Sequence, residues 1–246
     1  MGFESPELAY QGFFRADSAK DAPAWAAVMN YPHVRVSART GRTIYATPTE
    51  YADRADWTVR EATGWVRSEG VETRRLHQTE TKVHLLGGWI RYNKSSEPIL
   101  ENRVTYILTK IDSSWGIQAR FGVDSYVGQE VSTTKTATEA VLQAYFANLA
   151  QKDFGSCATL CRFPYTMVQT GEVVTANNGE ELAELLKSTT QVDGATTTIA
   201  AVQTGHSGAV VAVTTDNEGK PDDHSIYVVG HANEQWLIGG VSHIAD

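Results

Sequence analysis

The stretch that decides the fold is Tyr31-Pro32-His33-Val34-Arg35-Val36-Ser37. Pro32 ends a helical segment, because its ring removes a backbone N–H donor. After it, polar and apolar side chains alternate, and a period of two predicts a β-strand. The polar residues at 33, 35 and 37 then share one face of this strand, and the two valines share the other.

The same plan recurs further along the chain. Moving the sequence by 132 positions superimposes two predicted helices and this strand without a gap, and an offset of 121 aligns residues near the end. Matching spacings at both ends indicate two copies of one unit, each a little over about 100 residues long. The aligned pairs include Glu7 with Glu139, Phe14 with Phe146, Pro32 with Pro164, Val36 with Val168, Tyr106 with Tyr227 and Trp115 with Trp236.

Each copy is predicted to run helix, helix, two short strands, helix and then a meander of long strands. In the first copy the helices are expected at 5–16 and 22–30 and from 47 onward, and the strands at 33–38, 43–46, 74–86, 89–93, 100–110 and 115–123. A polar stretch at 124–138 is predicted to be a linker. Helices on one face of a curved antiparallel sheet make an α+β cone, so the predicted fold is two tandem α+β cones.

Composition and charge exclude several functions. The 246-residue chain is 41% hydrophobic and 20% charged and carries a net charge of −8. This acidic balance argues against binding nucleic acid or an anionic membrane, since phosphate groups need a basic face. No apolar run approaches the roughly 20 residues of a transmembrane helix. The N-terminus lacks the basic and apolar regions of a signal peptide, so a cytoplasmic location is expected.

No cofactor or metal site is predicted. The only cysteines, Cys157 and Cys161, lie four positions apart in a helical segment with no histidine beside them. Two small buried residues on one helical face are therefore favoured over a metal or redox pair. The sequence also lacks a Gly-rich phosphate loop, a G-x-S-x-G elbow and an H-E-x-x-H motif.

The order of elements, with Tyr145-Phe146-Ala147-Asn148-Leu149-Ala150-Gln151-Lys152-Asp153-Phe154 in the second copy, resembles the NTF2-like superfamily. This group includes SnoaL-like polyketide cyclases, ketosteroid isomerases, scytalone dehydratase and limonene epoxide hydrolase. The resemblance covers both halves and rests on pattern, with no signature motif. It implies an NTF2-like domain at 1–126 with a polar pocket and a second at 136–246 with a more apolar pocket. It also implies that the cones pair through their sheets, as a pseudo-dimer within one chain.

The ketosteroid isomerases allow a test at the level of residues. Their oxyanion tyrosine lies on the first helix, where the second copy has Tyr145 and the first has Phe13. Their general-base aspartate lies on the first strand after the helices, a position that corresponds to Ser37 and, in the second copy, to Gln169. Neither of these is a carboxylate, so isomerase chemistry of that kind is disfavoured in both halves.

If Ser37 occupies the position of that base, the period of two directs Arg35 and His33 into the same pocket. His33 would then move a proton near neutral pH, since its unperturbed pKa is about 6.5. Arg35 would hold an anionic group, and Ser37 would position it. The opposing interpretation gives His33 and Arg35 structural hydrogen bonds only, or turns them to the other face through a one-residue slip. In the second copy Tyr165 and Met167 would replace the pair.

Five further residues are predicted to bind substrate. Arg120 would close the first pocket or pair with a surface acid. Tyr106 would line that pocket or pack against a tryptophan. His77 would join them, in a loose match to scytalone dehydratase, or lie on a solvated strand face. In the second copy the candidates are Tyr145 and Tyr165.

Two functions stay open from the sequence. The first is a small-molecule-binding protein whose first domain is a cofactor-free acid–base enzyme, of the isomerase, dehydratase or cyclase type. Its substrate would be a small organic anion such as a carboxylate. The second is a non-catalytic ligand carrier, or a structural or interaction module with degenerate pockets. Further association of chains stays open as well.

Overall fold

The structure, a computed structural model, describes residues 2–123, 131–189, 196–216 and 222–244. Its helices are α1 (Pro6–Ala19), α2 (Ala22–Ala26), α3 (Pro48–Asp53) and α4 (Thr58–Glu61) in the first half, and α5 (Ser132–Ala150), α6 (Phe154–Thr159) and α7 (Gly179–Thr189) in the second. None of the helices in these described ranges has the length and apolar character needed to cross a membrane.

The strands form two groups of six, one in each half. In the first half they are β1 (Met29–Ser37), β2 (Gly41–Tyr45), β3 (Arg67–Gln78), β4 (Lys82–Tyr92), β5 (Pro98–Ile111) and β6 (Ser114–Gly122). In the second half they are β7 (Cys161–Gln169), β8 (Glu172–Ala176), β9 (Thr196–Thr204), β10 (Gly208–Asp216), β11 (Asp223–Ala232) and β12 (Gln235–Ile244).

Both halves use one strand order. The first sheet runs β2-β1-β6-β5-β4-β3 and the second runs β8-β7-β12-β11-β10-β9, which confirms the two tandem α+β cones. Neighbouring strands are antiparallel except for β1 with β6 and β7 with β12, which are parallel. Each sheet is thus mixed rather than wholly antiparallel, because its first strand lies beside its last and runs in the same direction.

Side-chain caps start the helices. α1 begins after Ser5, whose Oγ accepts a hydrogen bond from the backbone N of Leu8 at 3.2 Å. Pro6 follows at a position that needs no donor. Asp21 caps α2 and Asp153 caps α6 in the same way, at positions 132 apart, so the repeat extends to local detail.

Two predicted helix boundaries are wrong. The helix expected at 22–30 stops at Ala26, and the long helix expected from residue 47 is α3 followed by the short α4. The Asp56 carboxylate accepts a hydrogen bond from the backbone N of Thr58 at 2.8 Å. Such a local bond competes with helix continuation, so it separates α3 from α4.

The linker expected at 124–138 is helical over its second part. α5 begins at Ser132, whereas 124–130 lie outside the described residues. Thr134 and Thr138 are buried, and the Thr138 hydroxyl donates to the carbonyl of Thr134 at 2.9 Å. Burial of this helix face therefore outweighs the low helix propensity of threonine.

Gly87 and Gly88 do not separate two strands, as the sequence suggested, but lie inside β4. A Cβ at Gly70 or at Gly87 would lie 2.5 Å from the Tyr10 ring. The Tyr10 hydroxyl also donates to the carbonyl of Gly88. The glycines therefore allow α1 to approach the sheet closely.

The two sheets pack against each other through their outer faces. Val34 and Val36 are 0% and 3% exposed and lie in one apolar cluster that spans both halves. The buried members are Val34, Val36, Ala38, Ile107, Ala119, Phe121 and Val123 from the first sheet side and Val168, Val210, Ile226 and Val228 from the second. The predicted pseudo-dimer is thereby confirmed. A separate core fills each half between its sheet and its helices.

The halves approach each other most tightly at Ala38. Gly208 and Gly230 are register partners on β10 and β11. A Cβ at Gly230 would lie 2.1 Å from the Ala38 carbonyl oxygen, and one at Gly208 would lie 2.3 Å from the Ala38 Cβ. The contact between the halves therefore requires glycine at both positions.

Gly230→Ala is expected to lower the free energy of unfolding by about 1–3 kcal/mol, because the added methyl group forces the sheets apart at Ala38. Urea denaturation measures this difference. Gly122→Ala is the matched control, since a Cβ there meets no atom of the described residues within 4 Å. It should change the stability by less than about 0.5 kcal/mol. Equal losses in the two variants would contradict this account of the interface.

Candidate functional site

Three neighbouring strands place a row of polar side chains on the inner face of the first sheet. Arg35 on β1 is the register partner of Arg120 on β6, which in turn is the partner of Tyr106 on β5. The Arg120 guanidinium lies 5.2 Å from the ring centroid of Phe13 on α1, so the row faces the helices. His33 shares the face of Arg35. We call Arg35, Arg120 and Tyr106 the arginine row.

Aromatic rings surround the Arg35 guanidinium. Its central carbon lies 5.7, 5.6 and 5.2 Å from the ring centroids of Trp25, Tyr45 and Tyr51, respectively. Its Nη2 donates a hydrogen bond to the Tyr51 hydroxyl. The rings come from α2, β2 and α3, and their faces stabilise a cation there without neutralising its charge.

The two arginines carry charges that no acid in the described part of the chain neutralises. Neither forms an ion pair there, although each is half-buried. A buried acid of this half, Asp17, is already paired with Arg60. Like charges directly opposite each other on neighbouring strands repel, so Arg35 and Arg120 together favour a bound anion.

Several buried polar atoms around the row have no hydrogen-bond partner among the described residues. Native proteins leave few such atoms, so a group of them in one place indicates a site for a polar ligand or water. The atoms are Trp25 Nε1, His33 Nε2, Arg35 Nε, Tyr106 Oη and Arg120 Nε.

His33 is fully buried and its proton positions follow from its contacts. Its Nδ1 lies 2.9 Å from the carbonyl oxygen of Ile117. A carbonyl only accepts, so Nδ1 carries the hydrogen and Nε2 of the neutral ring keeps a lone pair. Burial lowers the pKa of His33 well below 6.5, and the charge of Arg35 lowers it further. The Nε2 atom of His33 is thus a hydrogen-bond acceptor at neutral pH and carries no proton to donate.

Ser37 lies at the end of β1, apart from the arginine row. Its Oγ accepts hydrogen bonds from the backbone N atoms of Arg39 and Thr40, each at 3.2 Å. The hydroxyl thus organises the turn between β1 and β2. The predicted role of Ser37 in positioning a substrate has no contact to support it.

The second half has an apolar row at the equivalent place. Met167 on β7 is the register partner of Val241 on β12, which is the partner of Tyr227 on β11. Tyr145 and Tyr165, the predicted ligand contacts of this half, lie buried in the same apolar core. At these register positions the described residues of the second cone therefore hold apolar side chains in place of the two arginines.

His77 does not join the arginine row. It lies at the contact between the two sheets, where its ring stacks on His224 of the second half with centroids 4.7 Å apart. Its Nδ1 lies 3.1 Å from Nδ1 of His84. His77 therefore lies on the strand face that the second sheet covers, and not on the face of the arginine row where a ligand contact was predicted.

A chain of hydrogen bonds links these histidines to the second half. The Ser242 hydroxyl donates to the carbonyl of Val168, so Ser242 Oγ accepts from Nε2 of His84 at 3.0 Å. The bare Nδ1 of His84 then accepts from Nδ1 of His77. Lys82 adds two hydrogen bonds of 2.7 Å, to the carbonyls of Val168 and His243, and burial lowers its pKa to about 7.

The sequence analysis missed Asp17, a buried acid at the end of α1. Asp17 is 2% exposed and accepts a hydrogen bond from Trp57 Nε1 at 3.0 Å in addition to its contact with Arg60. It lies on the apolar stripe of α1, and a charge on such a stripe is a signal of a buried partner. No comparable signal marks the aromatic rings around Arg35, since they come from separate elements.

The described residues contain no group of three or more His, Cys, Asp or Glu arranged to hold a metal ion. Cys157 and Cys161 are free and buried, as expected for packing residues. They do not share a helical face, because Cys157 lies on α6 and Cys161 begins β7. Burial raises the pKa of Cys157 to about 11, so its thiol stays protonated at neutral pH.

Comparison with known proteins returns folds of the class that the sequence resembled. No protein-family model and no curated protein matches the chain. A ketosteroid isomerase-like protein from Erwinia carotovora atroseptica is 18% identical, with a TM-score of 0.37, over 47% of this chain and 100% of its own. An NTF-2 like protein of unknown function from Silicibacter pomeroyi is 15% identical, with a TM-score of 0.35, over 44% and 92%. An NTF2-like protein with a cystatin-like fold from Novosphingobium aromaticivorans is 9% identical, with a TM-score of 0.41, over 52% and 83%.

Each of these matches spans about half of this chain. At such identities and scores they carry no information about substrate or reaction.

The pKa values of His77 and His84, at the contact between the two sheets, predict how the free energy of unfolding depends on pH. Burial lowers the pKa of His77 to about 4 and that of His84 well below 6.5. The unfolded chain therefore binds protons first as the pH falls, and the free energy of unfolding should drop between pH 6.5 and 4, by about 2 kcal/mol from His77 and further from His84.

Denaturation curves between pH 8 and 4 check this prediction. His77→Gln/His84→Gln should lose part of the acid-side slope, since burial also lowers the pKa values of His33 and His243. His206→Gln, at an exposed position, should keep the slope. A double variant with the wild-type slope would show that these two rings do not titrate on unfolding.

Proposed function

We propose that the first cone binds a small organic anion, such as a carboxylate, and that Arg35 and Arg120 hold its charged group. The observation that carries the proposal is the set of unpartnered buried polar atoms around the arginine row. Two guanidinium groups without an acid provide the charge, and their planar donors suit carboxylate oxygens.

The surrounding residues would complete such a site. Tyr106 Oη and Trp25 Nε1 supply further donors, while Tyr45 and Tyr51 offer apolar faces to an organic ligand. Both arginines are half-buried, which leaves part of each side chain accessible from solvent.

The same geometry supports acid–base chemistry without a cofactor. His33 Nε2 has a lone pair and could accept a proton from carbon or oxygen of the bound molecule. A bound anion would offset the charge of Arg35, which is one cause of the low pKa of His33, and would thereby make the ring a stronger base. The arginines would stabilise an enolate-like oxygen formed in the reaction. Isomerisation, dehydration or cyclisation are the reaction types that fit.

A carrier without catalytic activity is the second candidate. The observation that favours it is the low pKa of His33, which has two causes, burial of the ring and the charge of Arg35. A bound anion would offset the charge of Arg35 but not the burial, so the pKa of His33 would stay low. In this case the arginine row binds the anion and His33 only accepts a hydrogen bond from it.

Anion binding in the first cone can be tested with benzoate and salicylate as probes. Both should raise the melting temperature of the wild-type protein. Arg35→Gln and Arg120→Gln should each weaken the affinity by about 10-fold or more, since each removes a charge-assisted hydrogen bond. Arg74→Gln on β3 is the control with the same loss of charge at an exposed position. Wild-type affinity in both row variants would exclude the proposed site.

The stability of the unliganded protein gives a second readout. Arg120→Met should leave the free energy of unfolding unchanged or raise it by about 0.5–1 kcal/mol, because it removes the repulsion from Arg35. If Arg120 were only structural, the same variant would be clearly less stable than the wild type.

An enzyme and a non-catalytic carrier differ in one measurable step, the removal of a proton from the bound molecule. Phenylpyruvate has protons next to its carbonyl group, and NMR detects their replacement by deuterium from the solvent. An enzyme should accelerate this exchange, and His33→Gln should abolish the acceleration while benzoate still binds. Binding without any acceleration would favour the carrier.

A further inference from the structure

A second candidate site lies outside both cones, at the seam between the halves. A cavity of about 490 Å³ opens where the turn after β1 meets the start of β7. Its walls include Arg39 and Arg42 from the first half and Arg162, Phe163 and Pro164 from the second. Its volume falls within the range of small-molecule sites. We call this cavity the seam groove.

Two of its arginines are anchored by neutral groups of the opposite half. Arg162 donates from Nη1 to the carbonyl of Ala38 and from Nη2 to that of Ser37, each at 2.9 Å. Arg42 donates from Nη1 to the Thr175 hydroxyl at 2.5 Å. These contacts hold the guanidinium groups in place but leave their charges uncompensated.

The third arginine is free to meet a ligand. Arg39 is exposed, and its side chain has no hydrogen bond or ion pair among the described residues. None of the three arginines is paired with an acid in the described ranges, in a chain whose net charge is −8. Positive charges that line one cleft raise the local concentration of anions.

Two glycines make room for the arginine side chains and the turn of the seam groove. A Cβ at Gly239 would lie 3.0 Å from Nη2 of Arg162, so glycine lets the guanidinium lie against β12. Gly41 has a φ of +86°, which lets the turn between Arg39 and Arg42 close tightly. Phe163 and Pro164 add an apolar wall beside the charges.

We propose that the seam groove binds a small phosphate monoester. A phosphate monoester carries close to two negative charges and three acceptor oxygens, which suits three guanidinium groups better than a single carboxylate does. Its organic part would lie against Phe163 and Pro164. The ligand would contact residues of both halves at once and so hold them together.

This site is independent of the one in the first cone. Val36 lines the seam groove, whereas Arg35, the residue before it on β1, points into the cone. A ligand in one place therefore contacts the opposite face of the strand from a ligand in the other.

The test uses phenyl phosphate as the probe, with melting temperature and calorimetry at fixed ionic strength as readouts. Phenyl phosphate should bind saturably and raise the melting temperature. Arg39→Ala should weaken its affinity about 10-fold. Arg39 is exposed, so this variant should fold normally. Arg74→Ala, with the same loss of charge on β3 at the other edge of the sheet, should stay within about twofold of the wild type.

Four results would overturn the proposal. One is no saturable binding, and another is equal weakening by Arg39→Ala and Arg74→Ala, which would indicate general charge attraction. Binding lost in Arg35→Gln but kept in Arg39→Ala would assign the probe to the first cone. Inorganic phosphate binding as tightly as phenyl phosphate would remove the role of Phe163 and Pro164.

Discussion

The apolar outer faces of the two sheets bury each other, and this contact decides which way every side chain of β1 points. Burial of Val34 and Val36 contributes about 1.5–3 kcal/mol for each side chain. Because side chains alternate along a strand, this burial directs His33 and Arg35 into the cone. A register slip by one residue would place both of these polar groups against the second sheet. The pairing of the halves and the polarity of the first cone are thus consequences of one constraint.

Local sequence patterns were enough for the class of fold but not for every boundary. The repeat and the period of two in residues 31–37 depend on neighbours in sequence, so they predicted two cones and the correct faces of β1. The strands predicted at 74–86 and 89–93 left Gly87 and Gly88 between them, because glycine usually marks a bulge or a turn. In the structure both contact Tyr10, which is far away in sequence: a Cβ at Gly87 would meet its ring, and the Gly88 carbonyl accepts from its hydroxyl. A single sequence contains no sign of such a contact.

The candidate site was predictable to the same extent. Each member of the arginine row could be proposed from its own strand, but the pairing of Arg35 with Arg120 joins residues 85 positions apart. It exists because β1 and β6 lie parallel, which the sequence analysis did not foresee. His77 shows the converse case. Its polar strand face was interpreted as solvated or ligand-facing, whereas the second half covers that face with His224.

The second half indicates what the fold requires at the position of the arginine row. Met167 and Val241 occupy the places of Arg35 and Arg120, in the same register and on the same face of an equivalent sheet. Packing alone is therefore satisfied by apolar side chains there. Arg35 and Arg120 carry adjacent, half-buried charges that pair with no acid among the described residues, and proteins retain such arrangements where function needs them. The difference between the halves thus supports the proposal that the arginines bind a ligand, since packing alone does not require them.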